Sequence, residues 1–197
     1  MNEDTSNKEP EINPNYPQSL DFYSNDNDSN TLGSLYFEFH FEPSSQTETV
    51  LQPDVKITVF DVAAYILNKM GAMTTMKLHK LLYYCQAWSL VWDEKPLFPE
   101  RIEAWANGPV VKDLFYYHRG LYNIDKVSIG NANLLNESEI ETIDSVLEYY
   151  GNKSSQWLIE LTHLETPWKS ARGGLSPTER GTSVISLESM ADYYSSI

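Results

Sequence analysis

Residues 74–92 read TTMKLHKLLYYCQAWSLVW, and this stretch decides the fold. Thr74 stands where a side-chain oxygen can accept from an otherwise unpaired N–H of a helix's first turn. Behind it Leu78, Leu81, Leu82, Cys85, Trp88 and Trp92 recur three or four residues apart, while Lys77, Lys80 and Tyr84 fall on a neighbouring face. A helix this rich in leucine and aromatic residues belongs at the centre of a core. The fold class that follows is mainly α.

Working outward, Phe60, Ala63, Ala64, Leu67 and Met70 share one face of a preceding helix, and Gly71 supplies its stop. On the other side Pro96 and Pro99 force an irregular connection, residues 101–105 read as extended, and Asn107-Gly108-Pro109 turns the chain. Pro109 suits the first turn of a helix carrying Val110, Val111, Leu114 and Phe115. Residues 122–135 read as a loop. Asn136 and Glu139 form a capping-box pattern before Ile140, Ile143, Val146, Leu147 and Tyr150, and Gly151 ends that helix. Ser154 or Ser155 caps a helix through Leu158, Leu161 and Thr162. Thr166-Pro167 then reads as a cap followed by a first-position proline, and Gly173-Gly174 closes that turn. Ser186 caps a last helix bearing Leu187, Met190, Ala191 and Tyr194.

The N-terminal part differs in character. Residues 1–31 are rich in Asn, Asp, Ser and Pro and too poor in apolar groups to offset the entropy of ordering them, so they read as an acidic, disordered tail. In residues 32–59, Leu35, Phe37, Phe39 and Phe41 alternate with Tyr36, Glu38, His40 and Glu42, the period of a strand, and Val55, Ile57 and Val59 suggest a second one. The organisation expected is a tail (1–31), a short β-ribbon (32–59) that sets partner specificity, and a compact helical domain (60–197). Residues 1–55 hold 11 acidic side chains and one basic one, Lys8, a net charge of −10, whereas residues 56–197 hold 17 and 13, a net −4. A surface of that sign repels phosphate backbones and attracts basic proteins.

The single cysteine, Cys85, permits no intrachain disulfide and fits a reducing cytoplasm. No basic and apolar leader opens the sequence, and no apolar run approaches membrane-spanning length, so secretion and membrane insertion are disfavoured. His40, His79, His118 and His163 lie far apart without metal-ligand spacing, and no phosphate-binding glycine loop or nucleophile elbow occurs. No catalytic, cofactor or metal residues are therefore assigned, and the chain is read as a binding protein rather than an enzyme. His163 and Glu165 lie two apart and point to different sides of a helix. For His163 the stronger reading is structural, a histidine bonding the last carbonyls of its own helix. The best basic cluster, Lys77, His79 and Lys80, lies on the helix expected to be packed, which disfavours nucleic acid as a partner.

Aromatic residues are the unusual feature. Phe115, Tyr116, Tyr117, His118 and Tyr122 crowd one helix end. Either they form a second core layer against the strand at 35–41, or some of them face a partner, the role in which Tyr and Trp bring large contact area at low entropic cost. The partner-binding candidates are Tyr36, Phe37 and Phe39 on the strand, Trp105 before the turn, and Tyr116 and Tyr117.

Four segments, KLHKLLYYCQAW (77–88), EAWANGPVV (103–111), THLETPWKSAR (162–172) and ISLESMADYY (185–194), together resemble the Panacea domain, the family of phage-associated GepA-like and SocA-like proteins. The resemblance covers residues 58–197. It implies a helical domain acting as an antitoxin that neutralises a cognate protein toxin by direct binding; family toxins include enzymes related to alarmone synthetases. SocA-like relatives imply a rival role, an adaptor delivering the bound toxin to an AAA+ protease, and a DNA-binding repressor of its own operon is a further alternative. Oligomeric state is not legible.

Overall fold

The computed structural model describes residues 56–176 and 178–197. The tail and the first expected strand, with Tyr36, Phe37 and Phe39, lie outside the described residues. Helix α1 spans Val59–Met70, strand β1 Met73–Thr74, helix α2 Thr75–Trp92, strands β2 and β3 Ile102–Trp105 and Gly108–Val111, and helix α3 Lys112–Tyr117. Strand β4 (Asn123–Ile124) and a single 3-10 turn (Ala132–Leu134) precede helices α4 (Glu137–Tyr150), α5 (Ser155–Leu164), α6 (Thr166–Arg172) and α7 (Leu187–Tyr194). The architecture is mainly helical, as expected.

α2 is the hub. It packs against α1, α4, α5, α7 and β3, and every residue from Leu78 to Ser89 is buried. Its helix period therefore marks only the most apolar of its faces; the others are buried too, beneath polar partners. Thr74 caps it, its side chain accepting from the Lys77 N–H at 3.1 Å. Tyr84 stacks on Tyr150 of α4 with ring centroids 4.0 Å apart, and Trp88 stacks on Trp92 and meets Tyr194 of α7 edge-on. Gln86 holds the proline-bounded connection: its amide oxygen accepts from Leu97 and Phe98 N–H, and its Nε2 donates to the Phe98 carbonyl. Cys85 is fully buried, and that burial raises its thiol pKa far above the usual range, which leaves it unreactive.

Several boundaries agree with the sequence. Asn136 and Glu139 form the reciprocal box at the start of α4. Ser154 and Ser186 cap α5 and α7, and Gly173 ends α6 in the left-handed region.

Four expectations are corrected. The second strand fails where it can be seen, because Lys56–Thr58 carry no strand and Val59 opens α1. The Thr58 N–H and hydroxyl both donate to the Asp61 carboxylate, at 2.8 and 2.7 Å, so a Thr-x-x-Asp start signal outweighs the local β-propensity. Pro109, Val110 and Val111 form not a helix but β3, antiparallel to β2 with Pro109 opposite Ala104, and the helix begins at Lys112. A proline is tolerated there because β3 is the outer strand of the hairpin; the far side of β2 is occupied by Val184. Asn123–Ile124, expected as loop, pairs with Met73–Thr74. Finally, Glu165 rather than Thr166 occupies the cap position before α6.

Candidate functional site

The β2–β3 hairpin is held by its backbone carbonyls. Lys80 Nζ of α2 donates to the Pro109 carbonyl at 2.9 Å. Trp168 Nε1 of α6 donates to the Trp105 carbonyl at 3.0 Å, and Arg172 Nη1 reaches the Ala104 carbonyl at 3.4 Å. His163 of α5 engages the backbone of Ala106. Four side chains from three helices thus capture one tight turn, an arrangement that no local propensity of the turn itself would produce. On the amide side, Ala104 N–H donates to the Ser183 carbonyl and Ile185 N–H to the Ile102 carbonyl, adding a strand-like segment to β2.

Gly108 makes this closeness possible. Its φ is +94°, and a Cβ there would lie 2.4 Å from Lys80 Cε and 2.9 Å from Thr162 Oγ1. Lys80 is completely buried and takes part in no ion pair among the described residues. Loss of hydration brings its pKa down to about 7. The ammonium is tolerated as a hydrogen-bond donor to a carbonyl rather than as half of a salt bridge.

Two further buried systems brace the hairpin. Val111 N–H donates to His79 Nδ1 at 3.2 Å, and His79 Nε2 lies 2.9 Å from His118 Nε2. Since Nδ1 of His79 accepts, its Nε2 carries the proton and donates to His118, whose other nitrogen meets its own backbone. Burial, then the nearby Lys80 charge, hold His79 well below its ordinary pKa, so the relay is neutral. In the second system the buried Glu165 carboxylate accepts from Tyr194 Oη at 2.7 Å and Tyr84 Oη at 3.2 Å, joining α7 and α2. Burial is the main cause of its pKa rising to about 8, against the lowering effect of the tyrosine hydroxyls. His163 and Glu165 thus serve separate networks. His163 does not bond the last carbonyls of its own helix: its ring stacks on Trp168 at 4.0 Å, with the Arg172 guanidinium 5.4 Å from that indole.

What the clamp presents is the hairpin tip, Trp105, Ala106 and Asn107, which is not buried. Trp105 is oriented on several sides. Its Nε1 donates to Glu103 Oε2 at 2.8 Å, and Glu103 in turn pairs with Lys112 at 3.1 Å. Its ring meets Phe115 edge-on at 4.7 Å, and the Arg180 guanidinium lies 5.9 Å away. Tyr116 adjoins Phe115 at 5.9 Å and is 54 % exposed; Tyr122, farther along, is 74 % exposed. Trp105 and Tyr116 therefore come together through Phe115. Tyr117 turns away to Phe60 of α1, with its hydroxyl accepting from Ser128 N–H at 2.9 Å. Among the described residues no cluster of His, Cys, Asp and Glu could hold a metal ion, and no helix is long and apolar enough to cross a membrane.

These features define a helical domain built around a clamped hairpin, in which residues of three of the quoted segments meet. Residues 78–169 match the family model described as antitoxin SocA-like, Panacea domain, a match that supports the Panacea-domain antitoxin family for this part of the chain. At the level of the family the match supports a role in a toxin–antitoxin pair, with a toxin as partner, and points to a regulatory rather than catalytic part. Neither the curated proteins nor the solved structures searched gave a match.

The clamp was not legible beforehand. The motif resemblance singled out the stretches that contain Lys80, His163, Trp168 and Arg172, but nothing in their spacing said that they share one target. A buried-looking Lys on the core helix, 28 residues before a Gly-Pro turn, was the available signal.

Proposed function

We propose that this chain neutralises a cognate protein toxin by direct, stoichiometric binding, and that the hairpin tip with α3, through Trp105, Phe115 and Tyr116, is a principal contact surface. The observation that carries this reading is the capture of three hairpin carbonyls by Lys80, Trp168 and Arg172, with His163 beside the Ala106 backbone. A turn fixed from behind presents its tip with little entropy left to lose on binding, the condition under which an aromatic anchor is most effective. The exposed area of Tyr116 supports the same reading, and Tyr117 stands at its edge. Tyr36, Phe37 and Phe39 are proposed as additional contacts on sequence grounds alone, and a toxin related to alarmone synthetases, whose basic phosphate pockets suit an acidic partner, fits the charge of the chain.

The test is co-expression with the product of the adjacent reading frame. Expressed alone, this chain should leave growth unchanged; together with a toxic neighbour it should restore growth, and the Trp105→Ala/Tyr116→Ala double variant should not. Toxin abundance, followed in the same cultures, separates neutralisation from delivery to an AAA+ protease: constant toxin with restored growth supports binding, and vanishing toxin supports the adaptor. A neighbour that is harmless by itself would overturn the antitoxin reading.

A further inference from the structure

A second surface lies away from the hairpin residues, between the end of α1 and the outer face of α4. The groove has a volume of about 650 Å³ and is lined by Lys69 and Met70 from α1 and by α4 residues from Glu137 to Glu148. Its floor is apolar, made by Met70, Ile140 and Leu147. Its rim is acidic: Glu137, Glu141, Asp144 and Glu148 follow one another at spacings of four, three and four residues, which places them on a single stripe of the helix.

The charges on that stripe are not equally satisfied. Asp144 is neutralised in place, its carboxylate taking the Lys69 ammonium and the Tyr65 hydroxyl. Glu137, Glu141 and Glu148 have no cation within ion-pair distance among the described residues. The stripe is therefore neutral at Asp144 and negative at Glu137, Glu141 and Glu148, over a length of about 16 Å, or three helical turns.

We propose that this groove docks a cationic amphipathic helix of a partner protein, with apolar side chains over Met70, Ile140 and Leu147 and lysines or arginines opposite Glu137, Glu141 and Glu148. Helix-in-groove recognition reads apolar anchors at helical spacing with complementary charges beside them. Charge also excludes the nearer candidates. The chain's own first 55 residues carry a net −10 and a second copy carries −14, so neither supplies the cations, and a nucleic acid would be repelled. The inference does not depend on the toxin reading.

The test uses the full chain and a fluorescein-labelled helical peptide of Leu, Ala and Lys, three to four turns long, with leucines on one face and lysines flanking them; a peptide with Glu for Lys is the control. Anisotropy should show binding of the lysine peptide alone. The Glu137→Gln/Glu141→Gln/Glu148→Gln variant should bind at least about tenfold more weakly. A variant that removes the same number of carboxylates elsewhere, Asp125→Asn/Glu160→Gln/Glu188→Gln, should stay within about twofold, and Ile140→Ser should lose about fivefold through the floor. Amide shifts mapped on the unmodified protein should centre on Met70, Ile140 and Leu147. Failure of the unmodified protein to bind, equal losses in the two carboxylate variants, an unaffected Ile140→Ser variant, or shifts centred elsewhere would each overturn the proposal.

Discussion

The hairpin face and the α4 groove are both offered by one acidic domain, yet they are organised by different physics. At the hairpin, buried polar groups from α2 and α6 fix a turn, and what reaches the surface is aromatic. At the groove, three carboxylates without an ion-pair partner among the described residues rim an aliphatic floor. The lesson is that the first surface is prepared during folding and the second is prepared by charge. Damage to the clamp behind the first should appear as lost stability, whereas damage to its exposed aromatics or to the second should appear only as lost binding.

The largest effect separating the two is expected at Gly108. An alanine there places a Cβ against the immobile Lys80 stem at a positive φ, so Gly108→Ala should lose about 3 kcal/mol of stability in chemical denaturation. Glu141→Gln in the groove should stay within about 0.5 kcal/mol. Comparable losses in both would erase the distinction.

Next comes the pH dependence of the hairpin side. Glu165 titrates near 8 when folded and near 4.5 when unfolded, so between those values the folded protein keeps a proton that the unfolded chain releases, and stability falls as pH rises. Lys80 works in the opposite sense: between about 7 and 10.5 the unfolded chain binds the proton that the folded one gives up, and stability rises with pH. A minimum near pH 7 to 8 is expected in denaturation midpoints. Glu165→Gln should remove the acidic limb and leave the alkaline one, whereas a flat profile in the parent protein would deny that either group is held as described.

A smaller effect should come from Trp168→Phe, which keeps a ring between His163 and Arg172 but deletes the N–H that holds the Trp105 carbonyl. About 1–2 kcal/mol of stability should be lost. If the tip is a contact surface, toxin affinity should fall as well, although Trp168 is itself buried. The smallest expected difference is in salt response: raising ionic strength should weaken a ligand of the groove strongly and a ligand of the hairpin face little.

Much of the fold could be read from local chemistry. Capping oxygens at Thr74, Asn136, Ser154 and Ser186 and the left-handed Gly173 are decided within a few residues, and the structure has them where the sequence puts them. What failed was decided at long range. Pro109-Val110-Val111 looked like a helix start because first-turn proline is a local rule; pairing with Ile102–Trp105, and Lys80 from another element, overrode it. Ile57 and Val59 looked like a strand by propensity, and the Asp61 side chain turned Thr58 into a helix start. Tyr116 stood in the sequence among aromatics crowding one helix end and Trp105 before a turn, but their meeting through Phe115 depends on β3 and could not be read there.

The central claim, that a turn clamped from behind serves as a binding surface, is tested most directly by titrating the toxic neighbour's product into the full chain and into its Tyr116→Ala variant, with denaturation midpoints measured on both. Tyr116 is about half exposed and meets Phe115 edge-on. The account predicts stability within about 1 kcal/mol of the parent and a loss of about 2 kcal/mol of affinity, roughly thirtyfold. Unchanged affinity in a fully folded Tyr116→Ala protein would contradict it.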